Sequence, residues 1–589
     1  MKELLSLNIY FKRYAAKMLF GIVCVLLSNA VGVYVAVFVR EGINEASYHS
    51  NTAVGIGGDF LVKPALMAAL GFVLLLLLVA ALKGLFMYLM RQSIVVVSRE
   101  VEYDLKNDIY QHYQQLGLPF YRSHFTGDMM ARIGEDVSNV RMYVGPAVMY
   151  FANILFTFIT IITQMILVNT QLTLLVLLPL PLLSYSIYRV SKIINRRNAD
   201  IQQQLSTLTT AAQETFAGIR VIKSFGAEQF FHQDFSEKTA EYKRLNLKLA
   251  LVNSLFFPLM ILLVGISTLL VLYLGGVYAA EGRFSPGNIV EFILYLNMLI
   301  WPVASLGWTT ALVQKAAASQ KRINEFLHEP VDEDLEKGNP FDFQESIQFK
   351  SVGFTYPGSN KPSLSQLELT IPKGSIIGIT GKTGSGKSTL AQLLTAQYLP
   401  DQGQLLIDGE SIENFAKKSF YQSIAYVPQD VFLFSDTLAN NIAFGLAEET
   451  ADSERIEEAA RKAGLGREIN SLPLGLQTML GERGVLLSGG QKQRVSIARA
   501  LIRDAAIYIF DDCLSAVDAA TEASIIQSFV NALQGKTAII ISHRLASLQL
   551  ADQIVLLEDG QIVAQGSYNT LLKENEAFLQ LHRLQSTEN

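Results

Sequence analysis

The fold class this sequence predicts is an all-α polytopic membrane domain of six helices fused to an α/β phosphate-loop domain. Three observations carry that prediction. Long apolar runs crowd the chain before about residue 315. A complete phosphate-binding loop stands at Gly381–Thr389, and the chain around it reads as an ordinary soluble α/β domain.

Composition sets the outer limits. The chain has 589 residues, 50% of them hydrophobic, a length that ordinarily holds several domains. Its net charge of −5 is too small to argue for nucleic acid, and no block of like charges suggests a binding tail. Only two cysteines occur, Cys24 in an apolar run and Cys513 deep in the second half. Neither has a partner at metal-ligand spacing, so both read as buried small hydrophobes. A disulfide framework is thereby excluded, as suits a second half facing a reducing cytosol. The expected division is 1–327 for the membrane domain, 328–345 for an acidic linker bearing Pro and Gly, and 346–589 for the nucleotide-binding domain.

Six runs are long and apolar enough to span a bilayer: about 18–39, 64–89, 144–168, 170–189, 250–279 and 288–312. The first follows Lys12, Arg13 and Lys17 as a signal peptide would, but it is too long for one. The third and fourth are parted only by Asn169, Thr170 and Gln171, which predicts a tight helical hairpin. Basic residues fix the orientation. They gather before the first run, between the second and third (Arg91, Arg99, Lys106, Arg122, Arg132, Arg141) and between the fourth and fifth. The remaining connections hold almost none, so both termini are expected in the cytosol.

The two long inner segments, about 90–143 and 190–249, are polar and rich in helix formers. At 1.5 Å per residue such helical hairpins reach on the order of 30 Å beyond the bilayer. Each breaks near its middle, at Leu118–Asp128 and at Thr215–Arg220. Short elements at those tips are placed to press on a soluble domain. Within the runs, Lys83 and Glu291 lie near helix ends, where a long side chain snorkels to the interface. Asn29, Asn153, Gln164, Asn253, Asn297, Trp301 and Trp308 either line a path for a substrate or serve as interhelical glue and interface anchors.

In the second half, Ile347–Tyr356 and Ile376–Thr380 read as strands, the second ending at a glycine. There follow Gly381, Lys382, Thr383, Gly384, Ser385, Gly386, Lys387, Ser388 and Thr389, leading into a helix expected at Leu390–Leu399. The spacing answers a chemical need. Glycines let backbone N–H groups curl around the β-phosphate of ATP, and the helix N-terminus adds its positive end. Lys387 reaches the β- and γ-phosphates, and the Ser388 hydroxyl binds Mg2+. Ala506–Asp511 is an apolar strand ending in a carboxylate suited to hold Mg2+. Before it stand Leu487, Ser488, Gly489, Gly490 and Gln491, opening the helix Lys492–Ile502. Two glycines and a serine at a helix start make a second phosphate cap. A chain already holding one triphosphate has no use for it on the same nucleotide, so it is expected to serve an ATP held by a second such domain.

From end to end the chain resembles an ABC exporter half-transporter, and Leu487–Gln491 matches that family's signature. The resemblance implies further roles. Tyr356 stacks on adenine, and Gln429 contacts Mg2+ and senses the membrane domain. Asp518, in Ser515–Asp518, communicates across the dimer, and His543 contacts the γ-phosphate. Gly481–Gly484 is similar to a stretch typical of exporters near their coupling elements. Gly127–Arg132 and Gly218–Lys223 are similar to the family's inner loops. The implied function is ATP-driven export of amphipathic small molecules or lipids by alternating access, in a bacterial inner membrane, with no nucleic-acid partner.

One position departs from the pattern. After Asp511 stands Asp512, where the family usually has the glutamate that polarises the attacking water. Aspartate is one methylene shorter, and misplacement by about an ångström can lose roughly a hundredfold in rate. The signature is intact, so the expectation is a heterodimer in which this chain holds ATP at a slow catalytic site of Asp512, His543 and Gln429. Its signature then completes a faster site on the partner. The rival reading is a membrane-anchored regulatory subunit that gates a partner without moving substrate.

Overall fold

The computed structural model describes residues 2–53, 62–331, 337–446, 452–515, 517 and 519–587. The chain forms two compact units. One runs to Gln114 and resumes over Phe125–Glu329; the other takes Gln115–His124 and the chain from Pro330 onward.

The first unit is helical. Its elements are α1 (Ala15–Ala53), α2 (Val62–Gln115) and, after the short α3 (Leu118–Ser123) that belongs to the other unit, the continuous α4 (Thr126–Val168). Then follow α5 (Thr170–Leu177), α6 (Pro179–Ala217), α7 (Ile219–Phe225), α8 (Glu228–Ala280) and α9 (Pro286–Leu327). Among the described residues α1, α2, α4 and α9 are long and apolar enough to cross a membrane. The spans expected at 170–189 and 250–279 fall partly on side chains outside the described residues. Local chemistry sets the breaks. Asn169 turns extended, ends α4, and accepts the Leu172 N–H at 2.9 Å to cap α5. Ser285 and Asn288 form a reciprocal cap on α9, with Pro286 in its first turn. The second inner break falls at Gly218 and again at Gly226, whose φ of 61° ends α7 in a left-handed turn. Within α4, π-turns occupy Arg132–Asp136 and Tyr143–Ala147, the second containing Pro146. A proline has no N–H for the α-helical ladder, and the wider turn absorbs that loss.

Polar residues in the runs act as glue. Asn29 on α1 donates to Asn153 at 2.9 Å and accepts from Thr157 at 2.6 Å, both on α4. Glu291 departs from the snorkelling expectation. It is 0% exposed, paired with Arg40 at 3.1 Å and accepting the Tyr295 hydroxyl at 2.8 Å. A carboxylate can sit inside because a cation and a donor replace its water. Lys83 lays its ammonium against Gly32, in the middle of the first span and not toward the nearer helix end.

The second unit is built on two sheets. Its strands are β1 (Ser346–Phe354), β2 (Leu364–Pro372), β3 (Ile376–Gly381), β4 (Gln402–Ile407), β5 (Glu410–Ser411), β6 (Ile424–Val427), β7 (Ile507–Asp511), β8 (Thr537–Ile541), β9 (Gln553–Glu558) and β10 (Gln561–Gly566). An antiparallel sheet runs β2-β1-β4-β5; the larger runs β10-β9-β3-β8-β7-β6, parallel except for the β9–β10 hairpin. Strands β7 and β8 are buried throughout, as two-sided packing requires of runs such as Ile507–Phe510. Two expectations need correction here. The 328–345 segment is not wholly a linker, because Phe341 and Phe343 are buried in this unit's core. Phe341 sets its ring edge-on to Phe415 and Phe420, and its N–H donates to Ser419. The helix expected at Leu390–Leu399 is instead α10 (Lys387–Leu394), ended by Thr395, whose hydroxyl donates back to the Ala391 carbonyl, and by Ala396 at φ 50°.

Candidate active site

The carboxyl ends of β3, β7 and β8 lie side by side, with Gly378 opposite Ile540 and Asp511 opposite Ile541. Ligands of open parallel sheets bind along this edge. At the end of β3, Gly381 has φ 150°, and a Cβ there would come 2.1 Å from the Leu557 carbonyl oxygen. Gly386 has φ 100° and backs onto the Ser363 carbonyl. Both positions exclude other residues, so the loop's shape follows from its glycines. The next residue, Lys387, opens α10 and donates its ammonium to the carbonyls of Gly381 and Lys382, both at 2.8 Å. Burial pushes that ammonium below the usual lysine range, while Asp512 and Asp511 pull it back up. Ser385, in the loop, buries a hydroxyl with no partner among the described residues.

Ser388 donates to Asp511 Oδ1 at 3.2 Å. Asp511 is 2% exposed, and its carboxyl is raised to about 6. Burial is the main cause; the Ser388 hydrogen bond opposes it and the neighbouring Asp512 adds to it. Such a pair fits Mg2+, which takes few protein oxygens and completes its shell with phosphate and water. Among the described residues no group of three or more acidic, His or Cys side chains forms a metal cage. The loop with its buried cation and unpartnered Ser385 fits a polyphosphate, and Lys387, Ser388 and Asp511 are the groups that would hold it with its ion.

Asp512 follows in the left-handed region, at φ 47°. Its N–H donates to the Ile541 carbonyl at 2.9 Å and its carbonyl accepts from Ser515. Its carboxylate lies 2.8 Å from His543 Nδ1. Gln429 is exposed two residues beyond β6, whose Val427 pairs with Phe510, so it follows the same sheet edge. Tyr356 is anchored by its hydroxyl, which donates to Gln392 at 2.8 Å and lies 3.1 Å from Thr389. The Arg122 guanidinium lies 5.3 Å from the centre of its ring. Sequence reasoning missed Arg122, because α3 reaches this unit only through tertiary packing.

The second phosphate cap is a formed element. Ser488 caps α11 (Gly489–Leu501): its backbone N–H donates to Gln491 Oε1 at 2.9 Å and its hydroxyl accepts the Gln491 N–H. Leu487 is buried beneath it, while Ser488 and Gly489 stay exposed. From α11, Gln493 donates to Ser515, and Arg544, next to His543, donates to the Ser515 carbonyl and to Glu522. A hydrogen-bonded chain thus runs from the cap helix to Asp512 and His543, which sequence reasoning also missed. Asp518 and Ala516 lie outside the described residues.

Comparisons with known proteins agree with this geometry. Residues 18–303 match the model of the ABC transporter transmembrane region, and residues 364–515 match that of the ABC transporter. The chain is 33% identical, over 97% of its length and 95% of the relative's, to the probable multidrug resistance ABC transporter ATP-binding/permease protein YheI of Bacillus subtilis. It is 33% identical, over 87% of its length and 88% of the relative's, to an ATP-dependent lipid A-core flippase of Hahella chejuensis. Among solved structures, a bacterial Atm1-family ABC exporter with ATP bound superposes with a TM-score of 0.79 at 25% identity. That match covers 98% of this chain and 99% of the other.

Proposed function

Because this chain belongs to the ABC transporter family, as an exporter half with its membrane and ATP-hydrolysing domains on one polypeptide, we propose that it works in an asymmetric pair. In that pair it holds ATP and Mg2+ at a slow site, and its signature completes a faster site on a different partner chain. The cargo is an amphipathic small molecule or lipid, moved outward across a bacterial inner membrane with both cassettes in the cytosol.

One observation carries the asymmetry: Asp512 has little freedom to make up for its missing methylene. Its N–H is tied to Ile541, its carbonyl to Ser515, and its carboxylate to His543. A shift of about an ångström would break contacts on both sides of the residue, and that distance decides whether a base reaches its water. The formed Ser488–Gln491 cap supports the other half of the reading, since nothing in the signature is degenerate.

The roles within the site follow. Lys387 and the loop N–H groups bind the β- and γ-phosphates, and Ser388, Asp511 and Gln429 hold Mg2+, which offsets charge on the phosphates. His543 contacts the γ-phosphate, and Tyr356 exchanges Arg122 for the adenine on its ring face. Closure of the two cassettes over ATP passes to the membrane helices through the tips at 119–127 and 215–220, and the cavity reopens outward. The test is co-purification of the chain with its native partner, followed by Asp512→Glu. The substitution is expected to raise ATPase activity of the complex, up to about twofold, as a second competent site joins the partner's. Vigorous, transport-coupled ATPase activity of this chain purified as a homodimer would refute the proposal.

A further inference from the structure

Between α2, α4 and α9 lies a cavity of about 540 Å3, within the range that holds drug-sized ligands. Its walls are amphipathic. Trp308 meets Tyr150 edge to face at 5.1 Å between ring centres, Met142 and Met149 add polarisable sulfur, and Arg91 supplies a cation. The Tyr143–Ala147 π-turn separates Met142 from Met149 and Tyr150 and contributes Pro146 to the lining. Such turns gather at functional sites.

The charges around it are uneven. Farther along α2, Arg99 and Lys106 pair with Glu102, and Arg141 on α4 reaches the same carboxylate. Among the described residues Arg91 has no ion pair, and no acid lines the cavity. Arg91 also stands two residues past the apolar run 64–89, at the depth where an amphiphile's head lies when its body is in hydrocarbon.

Building on the export reading above, we propose that this cavity is a cargo subsite for an amphipathic organic anion. Its aromatic or alkyl body packs on Trp308, Tyr150 and the two methionines, and its acidic head pairs with Arg91. Arginine suits this task because its planar fork presents paired donors to a carboxylate, sulfonate or phosphate.

The test uses the complex of this chain with its native partner in zwitterionic nanodiscs, with two probes that share a body and differ in head, pyrenebutyrate and pyrenebutyl-trimethylammonium. The readout is the tryptophan quenching that disappears in Trp308→Phe. Pyrenebutyrate is expected to give this quenching and the cationic probe to give little. Arg91→Gln should weaken pyrenebutyrate binding about tenfold and Arg91→Lys should restore part of it, the loss expected for one charge-assisted contact. Equal binding of both probes, or an Arg91→Gln complex that binds as the parent does, overturns the inference. So does absence of Trp308 quenching, the result if the partner chain covers this face. Displacement of pyrenebutyrate by phosphatidylglycerol, with no ATP-driven movement of the probe, also overturns it by assigning the cavity to a bilayer lipid. Because binding is read without ATP, it stands or falls separately from export. A complex that transports amphiphiles with no preference for anions sinks this inference alone. One that binds pyrenebutyrate through Arg91 but transports nothing sinks the export reading and, with it, the cargo assignment, leaving an anion-binding cavity.

Discussion

At Asp511 a carboxylate is buried against a serine hydroxyl, and pH reads its cost. Its folded-state value of about 6 lies above the ordinary 3.8. The protonated form is therefore favoured by folding, and the stability it lends is present in full below about 4 and lost as pH rises through 6. At neutral pH the cassette holds the charged form at a cost on the order of 3 kcal/mol. Asp511→Asn removes the charge and keeps an oxygen for Ser388. In thermal unfolding without nucleotide the variant should melt above the parent at pH 7.5, with the gap closing toward pH 5. A constant gap would mean that burial is not what sets this carboxyl's value. The same substitution is expected to abolish Mg2+-dependent ATPase activity at this site, so stability and function move in opposite directions. Such opposition is common where a site is arranged for a ligand and not for the free fold.

Among the elements, the pairing of α1 with α9 rests partly on one buried ion pair, Arg40 with Glu291, supported by Tyr295. Removing Arg40 strands the wholly buried Glu291, whereas Arg40, partly exposed and also paired with Glu41 at 2.6 Å, keeps a partner when Glu291 is lost. Arg40→Met should thus destabilise the membrane unit by about 3 kcal/mol and Glu291→Leu by less, while the combined Arg40→Met and Glu291→Leu exchange should lie near the parent. A double-mutant cycle on detergent-solubilised complex, read by its melting temperature, checks this; additive losses would show that the pair is not coupled. Close by, a Cβ on Gly287 would meet the Arg40 carbonyl at 2.5 Å. Gly287→Ala is therefore expected to lower the melting temperature as well, by pushing α9 off α1.

These elements also mark how far the sequence could be read. The phosphate loop and the Ser488 cap were legible because their function needs particular backbone angles, and glycines and a capping serine state those angles locally. Glu291 was misread because its partner lies some 250 residues away, and no local pattern announces a pairing at that distance. Phe341 and Phe343 hid in a segment whose Pro, Gly and acidic residues signal a linker. The π-turns of α4 left only Pro146 as a trace.

Across the whole molecule, the asymmetric reading makes a demand that a symmetric one does not. In a homodimer, every phosphate loop and every signature serves an equivalent site, so Lys387→Ala and Ser488→Arg should be about equally damaging. In the proposed pair the two halves of this chain's machinery serve different sites. Lys387→Ala weakens ATP binding at the slow site, where little hydrolysis occurs, and should reduce turnover of the complex only a few-fold. Ser488→Arg puts a bulky cation in the cap that closes over the partner's ATP, holds that closure open, and should cost on the order of a hundredfold or more, as misplacement of a reacting site by about an ångström or more does. Steady-state ATPase assays of the two variants, each paired with unmodified partner, measure the ratio directly. The Ser488 capping box is worth only about 1 kcal/mol to its helix, so a fold-intact Ser488→Ala control separates lost capping from a blocked interface. It should retain far more activity than Ser488→Arg. Equal losses from Lys387→Ala and Ser488→Arg would return the molecule to a symmetric dimer, whatever the length of the carboxylate at Asp512.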